Sequence, residues 1–243
     1  MPVGVGNNGS PHNHGLFRFD LSSIPSGATI NSAKLRFIVT QAGPLNPPAS
    51  FEIHRVLKNW GEGSKAGLPA TTGEATWNSR LHQQSLWSAG GGLSGTDFAT
   101  TASATATFNG TGSTNEFSSA GLIADVQNWL TNSAGNFGWL LLAQSELAAS
   151  GRQVGSRESG TNQPVLEIHY SAFVMFNAAK IGSQFRFSFE AETNRTYAVE
   201  FRDSLNSSNW TTLTNIPSQQ TATTIHVTNA ISVTQRFYRL RTP

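Results

Sequence analysis

The chain has 243 residues, of which 37% are hydrophobic, 10% aromatic and only 12% charged, with no cysteine and a formal net charge of +2. So small a charged share, about half the average, leaves Ser, Thr, Asn, Gln and Gly to cover the surface, as in extracellular β-proteins rather than cytosolic enzymes. Without cysteine there is no disulfide, thiolate zinc site or cysteine nucleophile. No stretch nears the 18 apolar residues that argue a membrane span, and no basic run of the kind that grips nucleic acid occurs.

Residues 1–15, rich in Gly, Asn and His, read as a loop. They have neither a charged n-region nor an apolar h-region, so they are not a signal peptide, and a secreted form would have lost its leader. Strands are predicted at 16–20, with Phe17 and Phe19 on one face and Arg18 and Asp20 on the other, and at 29–40. Pro25-Ser26-Gly27 is turn chemistry between them. Gly43-Pro44-Leu45-Asn46-Pro47-Pro48 breaks the pattern, because proline cannot donate to a ladder. Residues 51–58 read as a strand with Phe51, Ile53 and Leu57 on one face and Glu52, His54 and Lys58 on the other. A loop at 60–73 and the segments 75–80 and 86–87 precede a flexible glycine-rich stretch at 90–95.

Residues 118–131 differ: Leu122, Ile123, Val126, Trp129 and Leu130 recur at helical spacing, with Ser118 or Ser119 as N-cap. This one helix is expected to close an end of a β-sandwich. Residues 137–143 read as a strand buried on both faces, and 165–170 as one with Leu166, Ile168 and Tyr170 inward. Beyond a boundary at 171–177, short alternating strands carry Phe185, Phe187 and Phe189, then Tyr197, Val199 and Phe201, Ile225 and Val227, and Tyr238 and Leu240. Turns are expected at 192–195, 204–209 and 215–220. Charge shifts there as well: residues 1–171 hold nine Lys/Arg against ten Asp/Glu, and residues 172–243 seven against four. The positive tail suits an acidic glycan or anionic surface, or is simply a solvated face.

The motif Leu16-Phe17-Arg18-Phe19-Asp20-Leu21-Ser22-Ser23-Ile24-Pro25, with Ala33-Lys34-Leu35-Arg36-Phe37, resembles the opening of secreted bacterial DNRLRE domains, relatives of family 96 carbohydrate-binding modules. Further pieces of the resemblance are Ile53-His54-Arg55-Val56-Leu57-Lys58-Asn59-Trp60-Gly61-Glu62-Gly63, Ala75-Thr76-Trp77-Asn78, Asp125-Val126-Gln127-Asn128-Trp129-Leu130, Asn136-Phe137-Gly138-Trp139 and Pro164-Val165-Leu166. It covers about residues 15–170 and implies a β-sandwich, with polysaccharide binding in some relatives and no transferable catalytic residue. Such domains usually begin with an extra strand, which is expected to be lacking here and would leave an unpaired edge. Residues 196–201, 209–213 and 236–241 resemble C-terminal immunoglobulin-like modules of secreted bacterial proteins.

Two sets of residues are candidates for chemistry. His12 and His14, an H-x-H pair, would complete a metal site with His54, His82 or Asp20; Asp97 with loop carbonyls is a candidate calcium site. Glu62, Glu74, Glu116 and Asp97 are the acids free to converge. The other set is aromatic and cationic: Trp60, Trp77 and Trp87 beside loops, with Arg55, Lys58 and Arg80, and Arg152 and Arg157 flanking a second loop. Sugar C–H faces stack on indoles, while hydroxyls and uronates suit Arg, Lys and Asn. Alternatively these tryptophans plug the core.

The expectation is all-β: a jelly-roll-like sandwich with one short helix over 1–171 and a small immunoglobulin- or fibronectin-like sandwich over 172–243. Its function is expected to be non-catalytic binding of an extracellular, plant or algal polysaccharide, secreted or at the cell surface. No cofactor is required, with a structural calcium or a His-bound divalent metal the candidates for a bound ion. The alternatives are a polysaccharide lyase or metal-dependent hydrolase around His12, His14, His54 and His82, and an adhesive protein self-associating through an open edge strand.

Overall fold

The computed structural model describes every residue except 26, 44–45, 65–67, 146–148, 207–208 and 243. The turn expected at Ser26, the proline break at Pro44 and the turn at 204–209 therefore lie partly outside the described residues. The chain divides into two compact units, Met1–Tyr170 and Ser171–Pro243. Strands dominate both, and one α-helix occurs among the described residues.

In the first unit the strands are β1 (Pro2–Val5), β2 (His12–Asn13), β3 (Gly15–Phe17), β4 (Thr29–Ala42), β5 (Ala49–Arg55), β6 (Ser79–Leu81), β7 (Ser85–Leu86), β8 (Ala104–Phe108) and β9 (Thr114–Ser118). Helix α1 (Ala120–Thr131) follows, then β10 (Trp139–Ala143), β11 (Arg152–Val154) and β12 (Val165–Ser171). One sheet runs β12-β4-β11-β1-β2, with β9 also on β4; the other is β3-β10-β5-β8, and β6-β7 form a separate hairpin.

The long β4 shows why this folds as a sandwich. Ala33, Leu35, Phe37 and Val39 are buried at alternate positions, while Lys34 and Arg36 between them pair with Glu116 and Glu167 at 3.2 and 2.8 Å. That alternation leaves one face wet and one dry. Phe37 packs at 5.1 and 6.2 Å on Phe17 and Phe108 of the facing sheet, and Phe108 stacks on Phe51 at 4.5 Å. Each such buried ring contributes about 1.5–3 kcal/mol.

Helix α1 closes the core as its spacing predicts. Ser119 Oγ accepts a hydrogen bond from Leu122 N at 3.0 Å, and Leu122, Val126, Trp129 and Leu130 are buried. Trp129 meets Trp139 edge-on at 4.5 Å. Asp125, on the same helix, accepts from Trp139 Nε1 at 2.8 Å and from Ser103 Oγ.

Several local expectations change. Residues 1–15 are not a plain loop: Val3 and Val5 are buried, β1 pairs with β11 through Val3↔Arg152, and it pairs with β2 through Val5↔His12. The position expected to be an open edge is therefore filled, and the sheet ends instead on the two-residue β2. Just past β5, Val56 rather than Leu57 is buried, and His54, expected on the polar face, is buried as well. Tyr170, expected inward, is 41% exposed.

The second unit pairs β13 (Phe176–Ile181), β14 (Gln184–Ala191) and β17 (Thr223–Ala230) in one three-stranded sheet. Strands β16 (Thr211–Ile216), β15 (Tyr197–Arg202) and β18 (Phe237–Arg241) form another. Phe187, Phe189, Tyr197, Val199 and Val227 form its core. The buried Tyr197 hydroxyl accepts from Glu192 N at 2.7 Å, and burial raises its pKa above the ordinary tyrosine value.

Candidate functional site

Residues 59–64 and 68–92 build a loop lobe around the β6-β7 hairpin. Backbone bonds from Gly61 N to Arg80 O (3.0 Å), Ala75 N to Gly61 O (2.7 Å) and Trp87 N to Asn78 O (3.1 Å) tie three of its segments together. Trp60, Trp77, Arg80 and Trp87 therefore belong to one structure, but they do not share one accessible face.

Trp87 is a core plug. It is buried with Val56, Phe98 and Leu140, and its Nε1 donates to Thr76 O at 3.0 Å, so it offers no ring to a ligand. This corrects the expectation of a stacking role: the apolar floor of the lobe recruits its largest side chain. Trp60 is half-buried, with Nε1 donating to Phe137 O at 2.7 Å and the Arg18 guanidinium 6.0 Å from its ring. Arg80 reaches the neighbouring Asn59 O at 3.0 Å. Lys58 is exposed. Arg55 turns away from the lobe to Asp125, 3.4 Å from its Oδ1.

Trp77 is 41% exposed, and its surroundings hold it in place. A Cβ at Gly90 would lie 2.6 Å from the indole Nε1, and one at Gly91 2.6 Å from Cη2. The ring thus lies directly on bare backbone, which only glycine permits. Gly91 N also donates to Trp77 O at 2.7 Å. The run expected to be a flexible stretch is a packing floor.

The histidine pair meets the ring's surroundings as well. The imidazole of His14 is 4.9 Å from the indole at a 53° tilt, and that of His12 is 6.3 Å away at 49°. His14 Nδ1 donates to Gly91 O at 2.8 Å, which couples the β2-β3 corner to the glycine floor. The sequence places these histidines 63 or more residues from Trp77; no local signal joined them.

The remaining candidates separate. His54 is buried, its Nδ1 donating to Ala99 O at 2.8 Å and its Nε2 lying 3.1 Å from Glu52 Oε2. His82 is half-buried on the hairpin, and Asp20, exposed, accepts from Ser22 N at 2.9 Å, which lowers its pKa. The catalytic set His12, His14, His54 and His82 is thus not brought together as a group. Asp97 is buried, its carboxylate filled by Ser88 N and Leu93 N at 2.8 Å each and Ser88 Oγ at 3.0 Å. Glu62, Glu74 and Glu116 engage Arg157, Thr71 N and Lys34 respectively. Among the described residues, no three His, Cys, Asp or Glu side chains gather as a metal site would require.

No family model, curated protein or solved structure matches this chain.

Arg152 is buried rather than ligand-facing. Its guanidinium donates to the carbonyls of Pro47, Asn109, Ser150 and Gly151 at 2.5–3.3 Å, and desolvation lowers its pKa. Beside it, a cleft of about 220 Å³ is lined in part by Asn13, Gln41 and Gln153.

Proposed function

We propose that the first unit is a non-catalytic polysaccharide-binding module of a secreted or surface protein, and that Trp77 is its stacking platform. The observation that carries the reading is an indole kept 41% exposed while fixed against Gly90 and Gly91. An exposed, immobilised aromatic offers a sugar's C–H face a contact with little conformational entropy to lose. The adjacent His12 and His14 rings add polar edges suited to hydroxyls. The low charge of the surface and the resemblance of residues 15–170 to DNRLRE-type domains support the same reading.

Affinity electrophoresis of the purified chain through gels holding single polysaccharides tests it. Retardation by at least one glycan is expected, with the dissociation constant for a short oligosaccharide micromolar or weaker. Trp77→Ala should weaken retardation about tenfold, the equivalent of the ~1.4 kcal/mol of one good aromatic stack. Unchanged retardation of a folded Trp77→Ala variant would remove the platform. Glycan turnover lost with His12→Ala would replace binding by catalysis.

A further inference from the structure

The second unit carries a charged surface that the platform does not explain. On β15 and β18, Glu200↔Arg239 and Ala198↔Arg241 are direct cross-strand partners. Because side chains alternate along a strand, Arg202, Arg239 and Arg241 share the face opposite to the core residues Val199 and Leu240. The guanidiniums of Arg202 and Arg239 each lie 4.4 Å from the Trp210 ring centroid. Glu200 is buried between Arg239 at 2.6 Å and Arg241 at 3.8 Å. Two cations thus flank one carboxylate, with Arg202 on the same strand face. The side chains of Arg239 and Arg241 remain 42% and 58% exposed.

We propose that this face binds an acidic polysaccharide, a uronate-bearing chain, through Arg202 and Arg239, which flank Trp210, and the neighbouring Arg241. The inference rests on the polysaccharide reading and adds its second contact and its charge class. Stacking on an indole engages the flat face of a guanidinium, whereas a carboxylate is bound edge-on in its plane, so the two contacts are compatible. Stacking also pre-orders a side chain that would otherwise lose rotamer entropy on binding. Arg239 and Arg241, two residues apart on one strand, set two charges about 6.7 Å apart, close enough to engage carboxylates on adjacent rings of one polymer. The surplus of positive charge in residues 172–243 is thereby gathered in part on one surface.

The test compares the full chain, Arg202→Gln/Arg241→Gln and Trp77→Ala in gels of polygalacturonate, dextran sulfate and neutral glucan, each at low and high salt. The full chain should be retarded by polygalacturonate more at low than at high salt, since exposed charge is screened. The double variant should lose that salt-sensitive part several-fold and keep its neutral-glycan retardation, and Trp77→Ala should do the reverse. Arg241→Gln alone, at the most exposed position, should show a smaller loss and controls for folding. Equal polygalacturonate retardation of wild type and double variant overturns the proposal while leaving the platform standing. So does retardation confined to dextran sulfate, or binding to phosphatidylglycerol vesicles in place of glycans. If the full chain binds no glycan at all, the reading of the first unit falls with it.

Discussion

Asp97 accepts from Leu93 N and, with the same Oδ2, from Ser88 N, each at 2.8 Å. These two donors bracket the glycines on which Trp77 lies, so one buried carboxylate fixes both ends of the platform's floor. In the sequence Asp97 is only a candidate calcium ligand; in the fold its hydrogen bonds make it a loop anchor.

Asp97→Ala and Asp97→Asn should therefore behave differently. Alanine removes the buried acceptor of three part-buried donors and should cost about 2–3 kcal/mol. Asparagine can keep its carbonyl on the two backbone donors and turn its amide toward Ser88 Oγ, which is able to accept, so its cost should be nearer 1 kcal/mol. Denaturant unfolding measures both. Glycan retardation should fall with alanine and persist with asparagine. Equal losses for the two would mean that charge, rather than acceptor geometry, holds the loop.

What was legible in the sequence follows physical range. The helix was readable because Ser119, Leu122, Val126 and Trp129 lie within one turn or a few of each other, and β4 because its alternation runs over many residues. The all-β class followed from the same periodicities. Val3 and Val5 were missed because two apolar residues among glycines give too short a period. The tryptophans were readable as a set, but their burial was not. Whether an indole fills a core or faces water depends on contacts such as Trp87 with Leu140 and Trp77 with Gly91, made by residues distant or unremarkable in sequence. His14 against Trp77 is the same kind of contact.

Arg152 should be among the most sensitive positions in the first unit. Its buried guanidinium satisfies carbonyls from the loops around Pro47, Asn109 and Gly151. Arg152→Met keeps much of the stem volume but leaves those acceptors without donors, and a loss of about 3–5 kcal/mol is expected. Arg152→Lys should recover only part of it, since an ammonium has three donors and no planar fork. Urea unfolding midpoints at constant m-value give the comparison. A methionine variant as stable as wild type would show that the carbonyls find other partners.

The last prediction concerns pH and the second unit. Asp203 meets Arg236 through two bonds, Nε–Oδ1 at 2.6 Å and Nη2–Oδ2 at 3.0 Å. Arg236 in turn stacks 4.0 Å from the Phe201 ring centroid and donates to Asn229 Oδ1 at 2.9 Å. The hydrogen bond from Arg236, and secondarily its charge, lowers the Asp203 pKa below the ordinary aspartate value. A carboxyl whose pKa is lower folded than unfolded stabilises the fold above the unfolded value, near 3.9, and that stabilisation disappears as pH falls through the folded value. Asp203→Asn should accordingly lower the melting temperature at pH 7 and leave a much smaller difference near pH 2. Because the Asp203 side of the pair is exposed to solvent, added salt should shrink the pH 7 difference. A deficit that is the same at both pH values would assign the loss to the geometry of the Arg236 contact instead of to the charge on Asp203.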